Sequence, residues 1–191
     1  ESARPEADRP LLGAPMLANW LPYRSYDAKS GLFINTESLG FVLELAPMMG
    51  ADESSGEILT QFLSDAVPTG CEIQLIHWQS PSVGERIADW VMPRVVAKGV
   101  YGRAAAHRAR WLRRGAWMSI SRDAPFFVRN TRIILSVGAR LSGPIGADTL
   151  STLRESLKGT LQALSIPARE MGPVELIAFL DDFLCPSVDN A

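Results

Sequence analysis

The sequence predicts an α+β domain in which helices pack on one face of a small mixed or antiparallel sheet, a ferredoxin-like variant with a helical insertion. Short β-type runs are separated by amphipathic helical stretches along the chain. Two of the runs, at 31–35 and 40–45, lie close enough to form a hairpin. The chain has 191 residues, of which 47% are hydrophobic, so it is long enough to bury a core of its own.

The first twenty residues are predicted to form an extended arm. Pro5, Pro10 and Pro15 stand there among charged and small residues, a composition that disfavours a packed element. Residues 21–191 are then predicted to form a single α+β domain.

The domain begins with the predicted hairpin. Residues 31–35 and 40–45 are its strands, and residues 36–39 between them favour a turn. Phe41 and Leu43 fall on one side of the second run by the two-residue period of a strand, which predicts that this strand is half-buried.

A helix and an inner strand are predicted next. Ser54 and Glu57 have the spacing of a capping box, and apolar residues then recur at helical intervals as far as Ala66. Residues 71–78 alternate regularly but carry apolar side chains on both sides. Such a strand is typical of the inside of a sheet, so we expect it to have a neighbour on each edge.

The middle of the chain predicts a long helical insertion and then the longest β-rich run. Apolar residues at helical spacing follow Ser82, and Pro93 is expected to kink or break that helix. A second helical stretch is predicted from about residue 94 to about residue 115, and a strand from residue 126 to residue 141.

Two further helices complete the predicted domain. Asp148 is expected to cap the first, and Pro173 is expected to begin the second, because proline is tolerated at the first helical position. The apolar stripe of the first helix consists of Leu150, Leu153, Leu157, Leu161 and Leu164.

Composition argues against several classes of protein. The net charge of -2 predicts no strong global attraction to nucleic acid or anionic lipid. Cys71 and Cys185 have no metal-type spacing and are predicted as buried thiols of a reducing compartment. No stretch approaches the roughly 18 apolar residues of a membrane span, and no basic start precedes an apolar core as in a signal peptide.

The sequence contains no pattern for nucleotide chemistry. A phosphate-binding loop reads G-x-x-x-x-G-K-[ST], which occurs nowhere in the chain. The run that ends in Asp181 and Asp182 is similar to a magnesium-binding strand, but its helical spacing favours an amphipathic helix. His77 is predicted as a core histidine and His107 as an exposed one. No catalytic, cofactor-binding or metal-binding residue is therefore predicted.

The strongest functional signal is a basic segment. Between Asp89 and Asp123 the chain has no acidic residue but eight lysines and arginines. On a helix, several of them share one stripe, and the predicted docking patch consists of Arg103, His107, Arg108, Arg110, Arg113 and Arg114. Its partner would be an acidic protein surface, a phosphate-rich molecule or lipid headgroups. The alternative is a solvated helix whose charge is balanced elsewhere in the fold, which we favour over nucleic-acid binding.

The opening of the domain resembles a known protein family. Leu21–Asp27, Gly31–Asn35 and Leu39–Leu45 are similar to the start of the TraC family, the F-type conjugative ATPases of type IV secretion. Weaker similarity extends to residues 73–80 and 166–173. The resemblance implies that the chain is the amino-terminal domain of a larger ATPase, which acts in pilus assembly and DNA transfer. For this piece it implies a scaffolding role without an active site.

The resemblance also implies cofactors, partners and location. ATP and magnesium would bind only in a motor domain downstream of this segment, so no cofactor is expected in the chain itself. Its partners would be inner-membrane secretion-channel proteins, its own motor domain and further copies of the protein, and direct nucleic-acid binding is disfavoured. The protein would be cytoplasmic and peripheral to the inner membrane.

Two other classes of function stay open. A free-standing ligand-binding α+β module would need a closed apolar pocket with converging polar groups. A small enzyme would have to use scattered residues such as His77. A ligand that binds only the folded state raises the melting temperature, so thermal-shift screening separates both classes from an interaction domain.

Overall fold

The computed structural model describes residues 21–48, 50, 53–96 and 98–185, which form six strands and five helices. The predicted arm of residues 1–20 lies outside the described residues. The strands are β1 Tyr23–Asp27, β2 Leu32–Asn35, β3 Ser38–Leu45, β4 Cys71–Ser80, β5 Asn130–Arg140 and β6 Ala168–Glu170. The helices are α1 Glu53–Asp65, α2 Gly84–Val96, α3 Gly99–Gly115, α4 Ala147–Ala163 and α5 Pro173–Leu184.

The described strands form one open sheet in the order β1-β2-β3-β5-β4. β2 pairs with Leu39 and Gly40 of β3, and β6 pairs with residues 43–45 of the same strand. Every pairing between described strands is antiparallel. The α+β class is therefore confirmed, and the predicted hairpin is present as β2 and β3, whereas the ferredoxin-like arrangement is not confirmed.

β3 is the central strand, and its alternate side chains point to opposite faces of the sheet. Phe41 and Leu43 are buried in one cluster with leucines of α4, while Val42 is buried on the other face with residues of α5. Gly40 lies so close to β5 that a Cβ there would overlap the carbonyl oxygen of Val137. The tight β3–β5 pairing thus depends on a glycine at this position.

α4 confirms the predicted leucine stripe as far as Leu161, whereas Leu164 lies just beyond the end of the helix. The helix begins at Ala147 after Gly146, so Asp148 lies in its first turn instead of capping it. The carboxylate still faces the positive end of the helix dipole, where a negative charge is favourable. The side chains buried against the sheet are Leu150, Leu153, Leu157 and Leu161.

α5 packs on the face of the sheet opposite to α1 and α4, so the prediction of helices on one face does not hold for this helix. Leu176 and Phe179 are buried beside Val42 and Ile134. The central strands carry apolar side chains on both faces, and each face therefore needs a cover. α5 begins at Pro173 as predicted.

β4 lies at an edge of the sheet, where an inner strand was predicted. Among the described strands its neighbour is β5 alone. Leu75 is 63% exposed and Ile73 is 41% exposed on one side of the strand. His77 is exposed as well, so the prediction of a core histidine is wrong. Ile76 and Trp78, on the other side of the strand, pack in the cluster that α5 forms with the sheet. The apolar residues on both sides of β4 therefore reflect one covered and one uncovered face and not a second neighbouring strand.

Residues 81–129, between β4 and β5, form the insertion, with α2 and α3 packed against each other. Pro93 lies inside α2, near its end, and neither ends the helix nor starts the next one. Lys98 and Gly99 adopt positive φ angles of 54° and 73°, which reverse the chain before α3. α3 therefore begins at Gly99, a few residues later than predicted. β5 also begins later than predicted, at Asn130. The insertion has a core of its own, built from Val83, Ile87, Ala109 and Ala116.

Candidate functional site

The predicted docking patch lies on the outer surface of α3. Gly102, Ala105 and Ala109 are buried along the inner side of the helix, where small residues let α2 approach closely. A Cβ at Gly102 would come within 3.3 Å of the carbonyl oxygen of Val95. All six residues of the predicted patch are exposed as a consequence. Their docking role stays a prediction.

The patch has no acidic partner among the described residues, since none of their ion pairs involves α3. Arg114 Nε instead donates to Met118 Sδ at 3.2 Å. The guanidinium of Arg108 lies 5.8 Å from the ring centre of Trp90. α3 ends in Arg113 and Arg114, where the helix dipole favours positive charge. Within the described part of the chain, the positive charge of the patch is therefore not paired with a carboxylate.

Charge is unevenly divided between the insertion and the rest of the chain. Residues 81–129 hold ten of the 19 lysines and arginines but three of the 21 aspartates and glutamates. The net charge of -2 thus combines a strongly basic insertion with a strongly acidic remainder. The similar numbers of basic and acidic residues in the whole chain do not neutralise the patch, because salt screens the interaction between exposed charges that are not in contact.

A cavity of about 330 Å³, the insertion pocket, lies between α2, α3 and the segment that leads into β5. No sequence pattern predicts it, because its residues come from separate stretches of the chain. Arg108 is the one residue that the pocket shares with the predicted patch. The lining consists of Val83, Arg86, Ile87, Trp90, Arg108, Leu112, Val128, Arg129 and Asn130.

Asp182, the residue that a magnesium site would have used, connects α5 to β4. Trp78 Nε1 donates to its Oδ2 at 3.0 Å, and Ser80 Oγ donates to its Oδ1 at 2.7 Å. Its run lies in α5, which confirms the helical interpretation. Within the part of the chain that the structure describes, no group of three or more histidines, cysteines and acidic residues could hold a metal ion.

A second polar cluster surrounds Glu44. Arg132 Nε donates to Glu44 Oε1 at 2.7 Å, and Arg169 Nη2 donates to Oε2 at 2.6 Å. Burial alone would raise the pKa of Glu44, but the hydrogen bonds from the two arginines outweigh burial and lower it. The cluster joins β3 to β5 and β6, which indicates a structural role.

The remaining candidate side chains do not converge on a site. Cys71 is half-buried, and burial raises the pKa of its thiol, which disfavours the reactive thiolate. Cys185 is exposed, so the prediction of a buried thiol is wrong there. His107 is exposed as predicted. Among the described helices, none combines the length and apolar character required to span a bilayer.

Comparison with known proteins places the chain in a family. The family model for TraC protein matches residues 17–191. The chain belongs to the TraC family. It is 29% identical over 194 residues to Protein TraC of Escherichia coli (strain K12), with 95% of the chain aligned. The resemblance found in residues 21–45 is thus confirmed.

This TraC-family chain spans only 21% of the length of that relative. No solved structure matches it. Membership of the family relates the chain to conjugative transfer.

Proposed function

We propose that this TraC-family chain is an interaction and scaffolding domain of a conjugative type IV secretion ATPase that acts in pilus assembly and DNA transfer. It docks the motor to inner-membrane secretion-channel proteins or to neighbouring subunits. The observation that supports this most is the surface of α3, whose arginines lack acidic partners among the described residues. Uncompensated charge of this kind steers and orients a partner of opposite sign.

In this proposal the chemistry of the motor belongs to the part of the longer protein that the chain does not span. ATP and magnesium bind there, and the chain itself has no catalytic residue. The absence of the phosphate-loop pattern from the sequence supports this division. The protein is cytoplasmic and is held at the inner membrane by its partners. Direct nucleic-acid binding is disfavoured in this proposal, because a net charge of -2 gives the chain no strong overall attraction to phosphates.

Reversal of charge on α3 tests the proposal in the longer natural protein. Arg103→Glu, Arg110→Glu and Arg114→Glu are combined, and the variant is expressed in a donor strain. Co-purification with inner-membrane channel proteins and conjugation frequency are both expected to fall about tenfold or more, because an acidic partner would now be repelled.

A matched control carries three reversals at exposed basic residues outside the insertion, namely Arg24, Lys29 and Arg140. It is expected to keep both activities. Circular dichroism and melting of the purified variants show whether each is folded. A folded α3 variant with unchanged co-purification and conjugation would remove the patch as a docking site.

A ligand-binding module is the second candidate function, and the insertion pocket is the observation that favours it. Its volume of about 330 Å³ lies at the lower end of the range typical of small-molecule sites. A rise in melting temperature with a metabolite or nucleotide would favour this alternative. A flat response would favour the interaction domain. An enzyme built on His77 is disfavoured, because this side chain is exposed at the edge of the sheet.

A further inference from the structure

The insertion pocket combines an apolar floor with a cationic rim. Val83 and Ile87 are 3% and 7% exposed, and Leu112 and Val128 pack beside them to complete the floor. The ring of Trp90 lines the same cavity. A floor of this kind suits an aromatic or large aliphatic side chain, the type of residue that anchors protein interfaces.

Three arginines line the pocket, and none of its lining residues is acidic. Arg86, Arg108 and Arg129 form no ion pair with another described residue. Arg129 Nη1 donates to the carbonyl oxygens of Ala116 at 2.8 Å and of Val128 at 3.0 Å, which holds this guanidinium in place. Carboxylates are suitable ligands for such a rim, because arginine binds them through charge-assisted hydrogen bonds.

Asn130 also lines the pocket, but it lines two neighbouring cavities as well, and its Oδ1 is buried. The choice between a peptide and a lipid therefore rests on the arginines of the rim. A fatty acid offers a single carboxylate, whereas a peptide presents several carboxylates around one apolar side chain. Three arginines around one apolar floor favour the peptide.

We propose that the insertion pocket binds a segment of a partner protein in which an apolar side chain is flanked by acidic residues. The apolar side chain occupies the floor, and the carboxylates contact Arg86 and Arg108. This inference rests on the proposed function, since it names the chemistry of a partner of the interaction domain. Arg108 also belongs to the predicted patch, so the bound segment would continue along α3.

Fluorescence anisotropy on the purified chain tests the inference with a designed probe. The probe is a fluorescein-labelled octapeptide in which aspartate alternates with phenylalanine. One comparison peptide has serine in place of phenylalanine, and another has lysine in place of aspartate. We expect saturable binding of the probe at micromolar concentration and at least about tenfold weaker binding of both comparison peptides. Phosphatidylglycerol vesicles are tested in parallel.

Two double variants separate the pocket from general charge. Arg86→Gln with Arg108→Gln removes two rim arginines and is expected to weaken probe binding about tenfold or more. Arg122→Gln with Arg140→Gln removes the same charge from exposed positions that neither line the pocket nor belong to the patch. This control is expected to weaken binding less than about threefold.

Several results would overturn the inference. They are the absence of saturable probe binding, equal binding of the serine peptide, equal losses in the two double variants, and binding to vesicles without binding to the probe. The outcome is separable from that of the proposed function. If the probe fails but reversal of the α3 arginines lowers conjugation, the interaction domain stands and the pocket is not its docking site.

Discussion

The hydrogen bonds of Asp182 predict how strongly α5 is held to the edge strand. Asp182→Ala removes the acceptor of Trp78 Nε1 and of Ser80 Oγ. Ser80 is 0% exposed, whereas Asp182 is half-buried, and Ser80 Oγ keeps the hydrogen bond that it accepts from Ser82 N at 3.0 Å. A hydrogen bond to a charged group contributes about 1.5–3 kcal/mol, so two bonds discounted for exposure give a loss of about 2–4 kcal/mol.

Urea unfolding followed by circular dichroism measures this loss. Asp181→Ala is the matched control, because Asp181 is the exposed neighbour on the same helix, and it is expected to change the free energy of unfolding by less than about 0.5 kcal/mol. Near-ultraviolet dichroism is expected to change in Asp182→Ala alone, since the Trp78 ring lies 5.1 Å from that of Phe183 at the end of α5.

Two results would refute this reasoning. The first is an Asp182→Ala variant whose free energy of unfolding lies within about 0.5 kcal/mol of the parent chain. The second is a parent chain whose melting temperature rises with millimolar magnesium while that of Asp182→Ala does not. The second result would mean that the carboxylate binds metal and does not serve only to hold α5.

Two further predictions concern the central strand. Because the pKa of Glu44 is lowered in the folded state, the stability from its charge is present at neutral pH and is lost as the pH falls through that pKa. Glu44→Gln is therefore expected to lower the free energy of unfolding by about 1–2 kcal/mol at pH 7 and by less in acid. Urea unfolding at several pH values measures this difference, and a difference that does not change with pH would contradict the prediction. Gly40→Ala is expected to cost about 1–3 kcal/mol by calorimetry, because its Cβ would overlap the backbone of Val137. Gly56→Ala, where a Cβ meets nothing within 4 Å, is the control and is expected to stabilise α1 by about 0.5–1 kcal/mol.

The elements with a regular local period were predicted from the sequence, and those with an interrupted or very short period were not. The leucines of α4 and the alternation in β3 show their period directly. In β1 a bulge lies between Tyr23 and Ser25, and bulges break alternation. Tyr23 and Tyr26 consequently both reach Phe33, with ring centres 6.1 Å and 4.8 Å away. β6 has three residues, too few to show a period.

The same distinction applies to the candidate site. The arginines of α3 share a face because of helix geometry alone, so their stripe is visible in the sequence. Arg86, Arg108 and Arg129 meet around one cavity only because α2 packs on α3 and the chain returns beside them. The position of β4 was predicted wrongly for a related reason. The sequence shows that its residues are apolar, but only the packed fold shows that part of this surface is left uncovered.

The pairing of Ser80 with Asn130 lets the insertion leave and re-enter the sheet at one rung of the β4–β5 ladder. Two antiparallel strands need no more than a two-residue turn to be joined. The 49 residues between them are thus not required to connect β4 to β5. Under the proposed function, a relative needs changes in this insertion alone to bind a different partner, while the ladder beneath keeps its register.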